Sequence, residues 1–350
     1  MEKIRVGLVG CGGIANGAHL PPMQAADGAV VTALCDLDPQ RLHTTADKYK
    51  IAGSYRFLDY HDLVASDVVD AVDICTPNNS HCPIAMAAVA AGKPFCVEKP
   101  VGVHAFEAKE LLAVTEAAGL PAMVCFSYRF KPAVHYARRL LEEGKIGQVI
   151  SVYAQYLKAS AFMKGRRLDW RFVQEVARYG VSGDLAVHMI DLLAYLIGDF
   201  KAVCAQTGIV VKERLRLDKD ELAPVDTDDY CNFLAELQGD IPASFGISRC
   251  AIGNANHIVV DLYGTKGCIR FDLNKDDEIQ LCIDDGTGKD LSMETIKVPR
   301  DGVPKQMQSW IDLIRQKPPA CIPTLKDGVA CQSVLDALLE SADKKQWVKL

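Results

Sequence analysis

The 350-residue chain contains no apolar run approaching the about eighteen residues of a membrane-spanning helix, which argues against a membrane protein. It also lacks any long block of Lys and Arg, and its formal net charge is -6, so the clustered basic surface that nucleic-acid binding leans on is missing. None of its thirteen cysteines pairs at C-x-x-C spacing, so neither a zinc site nor a disulfide framework is indicated. Most read as buried reduced thiols, as at Cys35, Cys75, Cys96 and Cys125. Low-complexity segments and repeats of fixed period are lacking too. The opening Met1-Glu2-Lys3-Ile4-Arg5-Val6 enters a strand at once and leaves no room for a signal peptide, so a cytoplasmic address is expected. Small molecules are the partners that remain.

At 350 residues the chain exceeds the usual single-domain size, so two domains with a cleft are expected. From Ile4 to Cys125, short apolar segments alternate with helix-like stretches, the pattern of a parallel sheet flanked by helices. Strands are predicted at Ile4–Val9, Val30–Cys35, Ala71–Cys75, Pro94–Val97 and Ala122–Phe126. The alanine-rich stretch Ile84–Ala91 and the periodic stretch Ala105–Ala118 read as helices closed by Gly92 and Gly119.

The second half changes character. A helix near Pro132–Glu143 precedes a strand at Val149–Leu157, and a further helix is expected at Asp184–Leu196. Strand-like runs follow at Ala202–Val211, Asp229–Leu237, Ala243–Arg249, His257–Tyr263 and Cys268–Leu273. Short turns such as Gly264-Thr265-Lys266-Gly267 favour antiparallel pairing. The fold class read from these patterns is α/β: a doubly wound parallel sheet over residues 1–126, then an α+β domain with an open, mainly antiparallel sheet over residues 127–350. Two late helices, Val303–Arg315 and Leu325–Lys345, are expected to pack back on the first domain. The acidic stretch Asp284–Asp290 reads as a solvated turn, because the ligand spacing of a calcium loop is missing. No metal site is expected.

Gly10-Cys11-Gly12-Gly13-Ile14-Ala15 fits G-x-G-x-x-A directly after the first strand and before a helix. The first glycine makes the tight turn and the second lets the backbone approach a pyrophosphate. The small sixth residue allows close helix packing. Asp36 ends the second strand, where a carboxylate takes the adenosine ribose hydroxyls. Its charge repels a 2'-phosphate and Leu37 offers no donor to one, which favours NAD; Arg41 nearby could pair with such a phosphate, so NADP stays open. In Cys75-Thr76-Pro77-Asn78-Asn79-Ser80-His81, Asn78 and His81 either bond the nicotinamide-side ribose or belong to a proline turn that caps the next helix. Glu98-Lys99-Pro100 follows the strand at Pro94–Val97, so Lys99 is a cation at the carboxyl end of a parallel strand, where doubly wound sheets bind ligands.

In Gly183-Asp184-Leu185-Ala186-Val187-His188, Asp184 and His188 are four apart and share a helix face. His188 can accept a proton near neutrality with Asp184 orienting it. The alternative is an N-cap aspartate and a core histidine beside Met189, Ile190 and Leu192. Lys158, Lys164, Arg166 and Arg167 either meet an anionic substrate group or form a solvated basic loop.

Taken in order, these segments resemble the glucose-fructose oxidoreductase, inositol dehydrogenase and rhizopine catabolism (Gfo/Idh/MocA) family over the whole chain. The resemblance rests on Gly10–Ala15, Asp36, Thr76-Pro77-Asn78 with His81, Glu98-Lys99-Pro100, and Gly183-Asp184 with His188. It implies a Rossmann domain plus a C-terminal α/β domain with an open sheet. It also implies nicotinamide-dependent redox chemistry at a sugar or cyclitol carbon, with Lys99, Asp184 and His188 catalytic. Trp170-Arg171 resembles a pair that in many members lies near the nicotinamide, and Tyr128 is counted with the substrate contacts. Asp184-Leu185-Ala186 departs from the common Asp-Leu-Gly, and Ser127-Tyr128-Arg129-Phe130 replaces a common Asn-containing turn. A glycosidase or lyase working by transient oxidation and a non-catalytic nucleotide or sugar sensor are the competing functions. A homodimer or homotetramer built on the sheet face of the second domain is expected.

Overall fold

In the computed structural model, residues 2–284, 286–288 and 291–350 are described. Asp285, Lys289 and Asp290, within the acidic turn expected above, lie outside the described residues. The chain forms two compact units, Met1–Phe126 with Pro304–Val329, and Ser127–Val303 with Ala330–Leu350. The segment 304–329, which a linear division at residue 126 leaves with the C-terminal half, thus counts with the first unit.

The first unit is built on strands β1 (Ile4–Val9), β2 (Ala29–Cys35), β3 (Arg56–Phe57), β4 (Ala71–Ile74), β5 (Phe95–Val97) and β6 (Ala122–Val124), in the order β3-β2-β1-β4-β5-β6. All its pairings are parallel. Parallel strands covered on both faces read as continuous apolar runs, and β4 and β5 are buried at every position. One member of that run is a carboxylate, Asp73, which is fully buried. Strand order reverses at β1 and β4, so their carboxyl ends, Gly10 and Cys75, flank the crevice where such sheets bind ligands. Helix Gln306–Ile314 brings Met307, Trp310 and Ile311 into one apolar cluster with Val6, Met23 and Met123. The backbone near Pro323 runs along the outer edge of β6, with the Val124 amide donating to Pro323 at 3.2 Å.

The second unit holds β7 (Val149–Leu157), β8 (Phe200–Gly208), β9 (Glu213–Leu215), β10 (Leu222–Pro224), β11 (Tyr230–Leu237), β12 (Ile241–Ser248), β13 (His257–Gly264), β14 (Gly267–Asp272), β15 (Glu278–Ile283), β16 (Glu294–Lys297) and β17 (Val348–Lys349). Nine of these form an open sheet in the order β16-β15-β14-β13-β7-β12-β11-β8-β17, and β9 and β10 form a separate ribbon. Among the described residues β7 with β12 is the sheet's one parallel pair; the rest are antiparallel, as the short turns dictate. Along β7 the pleat turns Val152, Ala154 and Tyr156 inward and leaves Tyr153 and Gln155 outside. Among the described residues no helix is long and apolar enough to cross a membrane.

The helix expected at Asp184–Leu196 begins differently. A wide π turn spans Ser182–Ala186 and the α-helix proper runs Val187–Leu196. Asp184 therefore lies on the wide turn and His188 on the following helix, so the simple four-residue helical face does not describe the pair. A second π turn, Ala15–His19, follows the glycine loop. Such turns are frequent at functional sites, because one inserted residue re-aims the side chains beyond it.

Candidate active site

In the first unit the glycine loop is shaped by contacts that only glycine allows. Gly10 has φ +96°, and a Cβ there would lie 2.6 Å from the Cys75 carbonyl oxygen. Over Gly12 and Gly13 a Cβ would meet nothing within 4 Å, which leaves the space a pyrophosphate requires. An open groove of about 630 Å³ runs past Cys11, Gly12, Gly13, Asn16, Arg41 and Thr44. Ile14 and Leu37, next in sequence to its lining residues Gly13 and Asp38, are exposed. Burial, with Asp36 beside it, pushes the Cys11 thiol up to about 12, so it stays neutral under the loop. These residues fit an NAD cofactor.

Asp36 is more deeply engaged than the ribose role requires. One carboxylate oxygen accepts from the Cys11 amide at 2.7 Å; the other accepts from the Asp38 amide at 2.8 Å and from Arg41 Nη1 at 3.4 Å. Arg41 also pairs with Asp38 at 3.3 Å. Asp36 thus fixes the glycine loop to the end of β2, with Arg41 beside it.

Beyond β4, Thr76 and Pro77 lead into a short turn, Asn78–Ser80, in which Asn78 is buried. His81 takes neither side of the ribose alternative in full. It is buried, with Nδ1 2.8 Å from the Pro100 carbonyl and Nε2 2.7 Å from the Thr76 carbonyl. Both ring nitrogens face backbone carbonyls, so His81 links the loop after β4 to the loop after β5. Lys99 sits in that second loop, where the Lys99–Pro100 peptide is cis, and its backbone amide donates to Glu98 Oε2 at 3.3 Å. The other Glu98 oxygen lies 2.9 Å from His19 Nε2.

In the second unit Asp184 and His188 stand in an aromatic and charged setting. The His188 ring lies 4.6 Å from the Tyr128 ring and 6.5 Å from that of Tyr156, and the two phenols are bonded oxygen to oxygen at 2.9 Å. Burial pushes the Tyr128 phenol up to about 12, with a smaller contribution from the Asp184 charge. Arg171 Nε is 3.8 Å from the Asp184 carboxylate, and the Arg171 guanidinium stacks on Trp170. The Trp170-Arg171 pair, expected near the nicotinamide, thus has a documented partner in Asp184. The wide turn under Asp184 is held by Asp228, whose carboxylate accepts from the Gly180 amide, the Ser182 amide and the Ser182 hydroxyl at 2.8, 2.8 and 2.9 Å. A Cβ on Gly180 would lie 2.0 Å from the Asp228 carbonyl oxygen, so only glycine fits there.

The basic stretch resolves into separate contacts. Arg166 donates to the Ser160 carbonyl and pairs with Asp169, and Arg167 donates to the Arg216 and Lys219 carbonyls and pairs with Asp220. The Lys158 ammonium stands 5.4 Å from the Tyr156 ring centre, and Lys164 is exposed. Arg166 thus braces its own loop, and Arg167 ties that loop to the segment at 216–220.

Arg129, Asp191, Asp228, Tyr156 and His19 were not singled out from the sequence. Their partners lie far away in the chain, and no spacing rule connects them. Among the described residues two groups bring metal-type donors together, His19-Asp73-Cys75 and His19-Glu98-Cys125; in both, the histidine nitrogens already face carboxylates. All thirteen cysteines are free and most are buried.

A glycine loop at the strand-order reversal, closed by a carboxylate at the end of β2, is the organisation of an NAD-binding oxidoreductase. The chain belongs to the Gfo/Idh/MocA oxidoreductase family: residues 4–126 match its NAD-binding Rossmann-fold model and residues 138–350 its C-terminal alpha/beta domain. It is an NAD(P)-dependent dehydrogenase. Levoglucosan dehydrogenase of Pseudarthrobacter phenanthrenivorans is 28% identical over 99% of this chain and 98% of its own length. Inositol 2-dehydrogenase of Rhizobium meliloti is 25% identical over 99% of both chains. A solved structure of levoglucosan dehydrogenase in complex with NADH and L-sorbose superposes with a TM-score of 0.90 at 28% identity, covering 100% of this chain and 99% of that one.

Proposed function

We propose that the protein oxidises a secondary alcohol of an uncharged sugar, sugar derivative or cyclitol with NAD, and that Lys99, Asp184 and His188 carry the chemistry. The observation that carries this reading is the setting of His188. An imidazole packed against the half-buried Tyr128 and near the buried Tyr156, with a carboxylate on the preceding turn held beside Arg171, suits both proton transfer and the recognition of a sugar's apolar face and hydroxyls. The bound nicotinamide supplies the hydride acceptor. His188 accepts the hydroxyl proton, Asp184 favours the imidazolium that results, and the Lys99 ammonium stabilises the negative charge that develops on oxygen. Tyr128 donates or accepts one hydrogen bond to the substrate while holding Tyr156.

Arg166 and Arg167 are both engaged by backbone carbonyls and carboxylates of the protein, which supports a neutral substrate over an anionic one. The relatives' names, dehydrogenases of levoglucosan and inositol, favour net oxidation over transient oxidation with elimination. The outer sheet face, with Ile150, Tyr153 and Leu234 each half exposed, suits a homo-oligomer.

The test is a screen of neutral and phosphorylated sugars and polyols with NAD and NADP at two salt concentrations, read by the absorbance of the reduced cofactor, with Lys99→Met alongside. Turnover of a neutral polyol that the variant loses, while still binding NAD, is expected. Near-normal turnover in Lys99→Met would overturn the assignment. Light scattering in solution reads the oligomer; a monomer at micromolar concentration would remove it.

A further inference from the structure

The first unit contains a buried ionic cluster that the proposed chemistry leaves unused. His19 ends the π turn that follows the glycine loop, and it is fully buried. Its Nδ1 lies 2.9 and 3.1 Å from the two oxygens of Asp73, itself fully buried in β4, and its Nε2 lies 2.9 Å from Glu98 Oε1. Each of these contacts requires a proton, and an imidazolium supplies both. Burial is the largest effect and works against that charge, but the charge and hydrogen bond of Asp73, together with Cys75 and Cys125, hold His19 well above its ordinary range. Glu98 is affected in the same way: burial would raise it, and the hydrogen bond and charge of His19 hold it below the ordinary carboxylate value. Around them stand the thiols of Cys75 and Cys96, 3.6 and 3.1 Å from Asp73 Oδ1. The Cys125 thiol also acts on His19, and His81 and the Lys99 ammonium act on Glu98.

Two readings of this cluster are set apart by its geometry. A proton relay needs an outlet, and Asp73 has none: it is closed in by β4, His19 and thiols. A clamp needs both ends fixed to elements that must stay in register, and that condition is met. At one end is the backbone leaving the glycine loop; at the other, Glu98 Oε2 accepts from the Lys99 amide. We propose that His19 is a positioning residue, whose imidazolium between Asp73 and Glu98 ties the nucleotide loop to the Lys99 corner and so fixes the direction of the Lys99 side chain. This rests on the assignment of Lys99 to the chemistry. A group fully desolvated and paired on both sides has no intermediate arrangement, so losing the charge releases the corner as a whole.

The test uses His19→Gln, which keeps a donor and an acceptor but loses the charge, and Glu98→Gln, which cuts the same chain at its less buried end should the first variant fail to fold. The first readout needs no turnover. In the nucleotide-free protein the rate at which an amine-acylating reagent labels Lys99, followed by mass spectrometry, should rise several-fold in either variant, with labelling of the exposed Lys344 unchanged. The second is the split of kinetic constants: kcat should fall by about 100-fold, as for a reacting group misplaced by about 1 Å, with the KM for NAD nearly unchanged. A folded variant with unaltered Lys99 labelling and kcat overturns the clamp. So does one in which only thermal stability changes. If Lys99→Met itself retains turnover, the catalytic assignment fails instead, and the labelling result still decides whether His19 holds the corner.

Discussion

Arg129 and Asp191 form a buried ion pair in the second unit: Nε lies 3.0 Å from both carboxylate oxygens and Nη2 2.6 Å from Oδ1. Arg129 adjoins Tyr128 in sequence, and Asp191 follows His188 by three residues, so the pair pins the tyrosine's turn to the histidine's helix. Its position accounts for the 4.6 Å approach of the two rings.

Removing one member strands the other charge in the core. Asp191→Ala is expected to destabilise the protein by about 3–5 kcal/mol, the range for breaking a buried pair. Urea unfolding reads the loss, and a cost below about 1 kcal/mol would show the pair to be solvated in solution.

The Tyr128 phenol, pushed up to about 12, has an unfolded value near 10. A group whose folded pKa is raised contributes stability that is complete below the unfolded value and is lost as pH rises towards the folded one. Stability should therefore decline between about pH 10 and 12, with a slope from this group of at most about 1.4 kcal/mol per pH unit. Tyr128→Phe should remove that share of the slope, and it should raise the KM for the alcohol without moving the neutral limb of the rate profile. Unfolding measured from pH 9 to 12 in both proteins checks the first part.

Arg41 sits against Asp36 and Asp38 at the ribose end of the groove. With Asp36 shortened to Ser, the guanidinium is freed for a 2'-phosphate, and NADP should gain on NAD by about 10- to 100-fold in kcat/KM, the worth of one charged hydrogen bond. Asp36→Ser also frees the Cys11 amide, so NAD use should fall. An unchanged ratio of the two cofactors would show that Arg41 does not reach the phosphate.

Gly180→Ala would drive a methyl group into the Asp228 backbone and displace the turn that carries Asp184. A stability loss of about 1–3 kcal/mol is expected from such overpacking, together with reduced turnover. Thermal melts with steady-state kinetics check both; full activity in a stable variant would show that the turn can shift without consequence for Asp184.

Much of this was legible in the chain, for identifiable reasons. β1 and β7 carry long apolar or alternating patterns and lie where the sequence puts them, at Ile4–Val9 and Val149–Leu157. Arg56–Phe57 and Val348–Lys349 are two residues each, too short for any period. β15 does alternate at Ile279 and Leu281, but charged residues on either side obscured it. The site divides in the same way. Gly10, Asp36 and Lys99 stand directly at strand ends, so the fold position follows once the strand is recognised. The setting of His81 stays open in the sequence because composition does not reveal that the Pro100 carbonyl of the loop after β5 meets its ring opposite the local Thr76 carbonyl. The π turns are five residues each, too short for the one-residue shift they put into the helical period to be read from the sequence. Arg129 and Asp191, like His19 and Asp73, meet only after the chain has folded.

The first unit is completed by the chain's late segment. Trp310 and Ile311 fill the same cluster as Val6 and Met123, and the backbone near Pro323 covers the free edge of β6. A protein cut after Phe126 would carry the whole glycine loop and Lys99 and still expose an apolar face and an open sheet edge. During synthesis that face and the edge of β6 likewise stay uncovered until residues 304–329 have left the ribosome.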